Sequence, residues 1–193
     1  MLRSLGLKPG YLFYPAQFWS HKNHANLLYA LKQLRDVHQL TPVLVLVGAD
    51  RGNEGFVRRL AQSLGLAEQV RFLGFVPRET LVPLYRGALA MTYVSWFGPE
   101  NLPPLEAMAL GVPVIASSVS GADEQFGDAA LHVSAGEPLE IATAIKRLID
   151  DVDLRDQLIA RGRTRAKAFT GPDFVRGVFR LLDEFESVRR CWG

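Results

Sequence analysis

The chain is poor in cysteine: Cys191 is the only one in 193 residues, and it lies near the end. No internal disulfide and no cysteine-ligated metal centre can be built from it, and a reducing compartment is the natural setting. A surplus of charge is missing too. The 22 basic and 20 acidic residues leave a net charge of +2 and are interspersed, whereas a nucleic-acid binder shows a basic face. No apolar run approaches the ~20 residues that span a bilayer, and residues 1–10 hold no apolar stretch long enough for a signal peptide. The expectation is a cytoplasmic protein, with peripheral attachment at the inner face of a membrane compatible with these totals. Neither a Gly-x-Gly-x-x-Gly turn after the first strand candidate nor a Gly-Lys-Ser/Thr loop is present, which argues against a dehydrogenase or a phosphate-loop nucleotidase. His21 and His24 have no carboxylate or cysteine at metal-ligand spacing and read as surface or loop histidines.

What is present is enough apolar matter, 48% of residues, for one substantial core, in a chain too short for two comparable domains. Short runs rich in β-branched and aromatic residues at 11–14, 43–47, 70–73, 89–94, 114–116 and 130–133 read as strands. Segments of helical period fall at 23–38, 55–64, 78–87, 102–110, 138–150, 154–168 and 173–188. The strand candidates are mostly continuous apolar runs, as in a parallel sheet covered on both faces. The fold class expected is α/β: a Rossmann-like, doubly wound parallel sheet of about six strands flanked by helices, with a core over about 11–169 and a C-terminal helical tail. In the last helix Phe174, Val178, Leu181, Leu182 and Phe185 share one face and need something to cover them.

Ligands of such a sheet gather beyond the carboxyl ends of its strands, so four loops matter. The first, 15–23, carries Lys22 just before a helix, where an ammonium beside free amides suits a phosphate; a solvated lysine in a first turn is the alternative. The second, Gly74 to Arg78, offers a glycine backbone and the apolar Phe75 and Val76 to a flat ring, or is an ordinary turn. In the third, Pro103 and Pro104 open a helix and Gly111 ends it. Glu106 sits among Leu105, Ala107 and Met108, where burying a carboxylate is costly unless hydroxyl groups such as those of a ribose, or a cap or salt-bridge partner, satisfy it. The fourth, 117–125, is a small-residue loop containing Gly121 and Glu124 that suits a diphosphate or a sugar.

Together, Lys22-Asn23, Val70-Arg-Phe-Leu-Gly74, Leu-Pro-Pro-Leu-Glu-Ala-Met-Ala-Leu-Gly-Val-Pro-Val-Ile-Ala (102–116) and Gly127-Asp-Ala-Ala-Leu131 resemble the C-terminal domain of retaining GT-B glycosyltransferases of the group 1 type. The motifs stand in the family's order at comparable spacing. The resemblance implies half of a GT-B fold that binds a UDP-, GDP- or ADP-sugar, without a metal, for retaining transfer of a hexose to an acceptor glycan or lipid-linked sugar. The alternative is an inactive nucleotide-sugar-binding or scaffolding module.

By position, Lys22 resembles the lysine that holds the donor diphosphate, and Glu106 the glutamate that binds the ribose hydroxyls; these two are the catalytic candidates. The turn Gly74, Phe75, Val76 resembles the base-contacting segment, and Asn101 and Leu102 the helix start that offers amides to phosphate or sugar. Two positions depart from the family. Gln17 stands where an arginine is usual, and Gly98 where the first glutamate would fall, with Glu100 nearby as a substitute; a subset of the family carries a Phe-Gly-Pro variant here. The resemblance also implies that an N-terminal acceptor-binding domain is missing, that helix 173–188 packs on it, and that the chain alone does not transfer sugar.

Overall fold

The structure, a computed structural model, describes residues 1–98 and 101–192. Its core is one six-stranded sheet formed by β1 (Tyr11–Pro15), β2 (Leu44–Val47), β3 (Val70–Phe72), β4 (Ala88–Tyr93), β5 (Val114–Ser117) and β6 (Ala130–Val133). The strands are ordered β3-β2-β1-β4-β5-β6 and every neighbouring pair is parallel. Tyr11 to Tyr14, all of β2 and all of β5 are buried, which is why these strands read as unbroken apolar runs and do not alternate.

The connections are α1 (His24–His38), α2 (Glu54–Ser63), α3 (Arg78–Gly87), α4 (Leu102–Ala109) and the short α5 (Ala122–Phe126), followed after β6 by α6 (Pro138–Asp150), α7 (Val152–Lys167) and α8 (Gly171–Arg190). Helix α1 packs on α2 and α6, and α4 on α7. In α1, Leu27, Leu28, Leu31 and Leu34 turn one face inward at spacings of three and four, the stripe a helix needs to seat on a sheet. The order of winding reverses between β1 and β4, so the loops leaving these two adjacent strands diverge and open a crevice at their carboxyl ends.

The expected strands and helices appear with boundaries shifted by at most two residues. Helix α5 overlaps the end of the segment 117–125 read as a small-residue loop; five residues are too few to show a helical period. His24, read as a surface or loop histidine, is a core residue, 1% exposed, stacked on Phe18 at 4.6 Å and packed on Tyr14 at 5.0 Å. Its imidazole fills an aromatic niche, where burial favours the neutral ring. No described helix is long and apolar enough to cross a membrane.

Candidate functional site

At the switch point lies a hollow of about 500 Å³. One wall is the segment after β1, with Gln17, Trp19, His21 and Lys22; the other is Tyr93, Gly98 and the start of α4, with Asn101, Leu102, Pro103 and Glu106. The two walls are stitched together. Asn23, held at φ 58, buries its side chain and donates from Nδ2 to Val94 O (2.9 Å) and Ala135 O (2.7 Å). Trp96 N–H donates to His21 O (2.9 Å), and the Tyr14 hydroxyl to Lys22 O (2.7 Å). These bonds fix the backbone that carries Lys22, a requirement for placing a charge to within a fraction of an ångström.

Lys22 ends a 3-10 turn, Ser20–Lys22, one residue before the residue that caps α1. The nearby amides of Lys22 and Asn23 already bond to Trp19 O and Ser20 O, so the charge here comes from the ammonium without help from those amides. Its Nζ donates to the Tyr93 hydroxyl (3.1 Å) and lies 5.2 Å from that ring's centroid. Burial pushes the Lys22 pKa below its usual value and holds the Tyr93 phenol up at about 12. The partner oxygen is therefore neutral, and no described carboxylate pairs with Lys22. A partly buried cation with a neutral partner favours an incoming anion.

Glu106, read as a carboxylate that burial would penalise unless a partner satisfied it, is exposed on the hollow's surface. The helix turns its apolar Ala107 and Met108 inward and leaves the carboxylate on the open side, so no burial cost arises. One carboxylate oxygen accepts from the Tyr85 hydroxyl (2.9 Å), and burial, together with Glu106, holds that phenol far above its usual range. Tyr85 thus stays a donor and fixes Glu106. The other carboxylate oxygen, on a side chain that lines the hollow, remains an acceptor for hydroxyl groups.

Helix α4 begins at Leu102 with Pro103 and Pro104 in its first turn. Since proline has no N–H and Leu105 N–H begins the helical bonds onto Asn101 O, Leu102 bears the amide left in this first turn. Asn101, φ 42 and 6% exposed, leaves its Oδ1 without a partner among the described residues. A Cβ added at Gly98 would lie 2.3 Å from that oxygen. Glycine at 98 is thus what lets Asn101 sit against the loop. A smaller hollow of about 230 Å³ shares Gly98 and Asn101 and extends to Gly121 and Glu124, the residues noted in the fourth loop.

Of the residues singled out in the sequence, Gln17, Lys22, Gly98, Asn101, Leu102 and Glu106 meet at one hollow. Gly74, Phe75 and Val76 do not line it. They form the turn after β3, where Gly74 has φ 67, Phe75 is 80% exposed and Val76 packs on the core. Glu100 lies outside the described residues. Sequence reading missed Trp19, His21, Tyr93 and Tyr85. Tyr93 was marked by its place at the end of a switch-point strand, but Tyr85 reaches Glu106 from another helix and left no local signal. Among the described residues no group of three or more His, Cys, Asp or Glu is placed to hold a metal ion. The larger hollow of about 550 Å³ beside β6 and α6 is away from the switch point and shares none of these side chains.

Comparison with known proteins bears on this geometry. Residues 4–165 match the family described as Glycosyl transferases group 1. Among curated relatives, the chain is 32% identical over 161 residues to O-antigen chain mannosyltransferase B of Escherichia coli, covering 83% of this chain and 42% of the relative. It is 32% identical over 153 residues to the D-inositol 3-phosphate glycosyltransferase of Acidothermus cellulolyticus, covering 76% and 34%. The chain thus spans less than half the length of these relatives. Among solved structures, the sucrose-phosphate synthase of Thermosynechococcus elongatus superposes with a TM-score of 0.80 at 28% identity, over 97% of this chain and 48% of that one. Anabaena HepE, solved in complex with UDP, superposes with 0.81 at 23% identity, over 95% and 51%. The sheet and its helices match GT-B glycosyltransferase structures, and the chain belongs to the glycosyl transferases group 1 family.

Proposed function

We propose that the chain is the donor-binding domain of a retaining glycosyltransferase, holding a UDP-, GDP- or ADP-hexose at the β1/β4 switch point and acting with an acceptor-binding domain beyond this sequence. The observation that carries the reading is convergence: Gln17 and Lys22 from one segment and Gly98, Asn101, Leu102 and Glu106 from a distant one line one hollow. In this reading the Lys22 ammonium and the Leu102 amide hold the diphosphate, the other Glu106 oxygen accepts from the ribose hydroxyls, and the Gly74 to Val76 turn meets the base. The hexose extends toward Gly121 and Glu124.

In transfer, the bond from the anomeric carbon to the diphosphate oxygen breaks. A bond to the acceptor oxygen forms on the same face of the sugar, the acceptor hydroxyl passes its proton to the departing diphosphate oxygen, and the nucleoside diphosphate leaves. Charge grows on the departing diphosphate, and a fixed cation beside it lowers the barrier. The scheme needs no metal. The exposed apolar face of α8 supports a partner domain, and relatives more than twice as long as the matched segment have room for one. On its own the chain binds the donor weakly and transfers nothing, and we place it in the cytoplasm, able to attach at the inner face of a membrane where a lipid-linked acceptor is presented.

Calorimetric titration of the chain with UDP, GDP and ADP tests the donor site. Saturable binding of one nucleotide is expected, weakened about tenfold or more in Lys22→Ala, as loss of a charge-assisted contact implies, and to a lesser degree in Glu106→Ala. Absence of binding to the folded wild-type chain, or binding indifferent to both substitutions, overturns the reading. The neutral Gln17 and the glycine at 98 favour a second reading, a binding or scaffolding module without transfer. Supplying an acceptor domain in trans separates the two, since only the enzyme then transfers sugar.

A further inference from the structure

Beside Lys22, the hollow's mouth carries a polar cluster formed between two loops. Gln17 Oε1 accepts from Trp19 Nε1 (3.0 Å) and from Arg51 Nε (3.1 Å). An amide oxygen has two acceptor sites, and both are taken. The orientation of the Gln17 amide is therefore set, with its NH₂ end left over as a donor. The Arg51 guanidinium also lies over the Trp19 ring, 5.8 Å from its centroid. Its terminal NH₂ groups have no partner among the described residues. The adjacent Asp50 forms no ion pair with it among the described residues; one oxygen of that carboxylate accepts from Gly52 N (2.8 Å) and Glu54 N (3.1 Å).

The loop bearing Arg51 is anchored to the hollow's wall. Phe18 N–H donates to Ala49 O (3.0 Å), and Phe18 pairs with Asp50 in an isolated parallel bridge. Arg51 is thus a cation without an acidic partner among the described residues, docked on two side chains, Gln17 and Trp19, that line the hollow. A planar fork of unused N–H donors matches the oxygens of a phosphate, and a diphosphate carries more charge than Lys22 alone offsets.

We propose that Arg51, with the Gln17 amide that it orients, is a second anion-binding element of this hollow and takes part of the donor's diphosphate alongside Lys22. The assignment rests on the donor-site reading above. It draws on the β2–α2 loop, which the sequence does not mark as part of the site, and gives the neutral Gln17 a defined task as an N–H donor.

The test is calorimetric titration of wild type, Arg51→Ala, Arg51→Lys and Gln17→Ala with the nucleoside diphosphate that binds, with the matching nucleoside, and with inorganic pyrophosphate. Arg51→Ala should weaken the diphosphates about tenfold, the scale of one charge-assisted hydrogen bond, leave the nucleoside unchanged and flatten the salt dependence. Arg51→Lys should recover part of the loss. Since Arg51 is exposed, the fold should survive; Arg51→Gln, which removes the charge and keeps the length, serves if alanine disturbs it. Wild-type affinity for the diphosphate in Arg51→Ala while Lys22→Ala is impaired overturns the assignment and leaves the donor site standing. An equal loss toward the nucleoside overturns it in favour of a purely structural role. A wild-type chain that binds no nucleoside diphosphate sinks both.

Discussion

Helices α1 and α8 carry the same kind of sequence and meet different fates. Over 15 residues α1 buries six, His24, Leu27, Leu28, Ala30, Leu31 and Leu34. Over 20 residues α8 buries none, although Phe174, Val178, Leu181, Leu182 and Phe185 fall on one face as regularly as the leucines of α1. Local chemistry does not separate them. Helix α8 even has the better start, a capping box in which Asp173 N–H donates to Thr170 Oγ1 (3.3 Å) and Thr170 N–H to the Asp173 carboxylate (3.2 Å). What differs is a partner: α1 has α2, α6 and the sheet within this chain, and α8 has no such neighbour among the described residues. An apolar stripe at helical period reports that a helix needs a cover, and does not say whose residues provide it.

That contrast gives an ordered set of expectations for unfolding in urea. The largest effect belongs to α1: Leu31→Ala, at a fully buried position, should cost about 2–5 kcal/mol through lost transfer energy and the cavity left behind. A loss under about 1 kcal/mol would mean that α1 is less firmly seated than its burial indicates.

Next comes pH. Burial pushes the His24 pKa from 6.5 down to about 4, so between these values the unfolded chain binds a proton that the folded chain refuses. The contribution is full above about pH 6.5 and is lost as pH falls toward about 4, amounting to roughly 3 kcal/mol. Denaturation of wild type and His24→Phe across this window checks it; the variant should lose this component of the slope, and identical curves would remove His24 as its source. The smallest effect belongs to α8, where Leu182→Ala should change stability by no more than about 0.5 kcal/mol. A clear destabilisation there would mean that α8 is already covered in solution, and the comparison with α1 would collapse.

The fold was legible because strands and helices longer than two turns leave periods of two or 3.6, or continuous apolar runs, in the sequence. Helix α5 was not, since five residues fit any pattern. His24 was misjudged because polarity predicts only the average environment of a residue, and here the inward face of α1 carries an imidazole. Residues carried by a motif, such as Lys22 and Glu106, were singled out from the sequence, and the structure brings them to one hollow. The pair Gln17–Arg51 and the pair Tyr85–Glu106 join separate segments, and single-sequence patterns hold no record of such meetings.

Main-chain bonds link the loops that follow the first three strands: Phe18 N–H reaches Ala49 O (3.0 Å), and Gly48 N–H reaches Gly74 O (2.9 Å). A Cβ at Gly48 would lie 2.2 Å from Ala16 O, so residue 48 has no freedom to vary. Its neighbours do, because a bond between amide and carbonyl is indifferent to the side chains beside it. The rim therefore works as a rack with fixed slots, on which the displayed residues at 17, 19, 51 and 75 can be exchanged without rebuilding the frame. Diversification in such a molecule can proceed one slot at a time, with glycine at 48 as the pin that keeps the rack aligned.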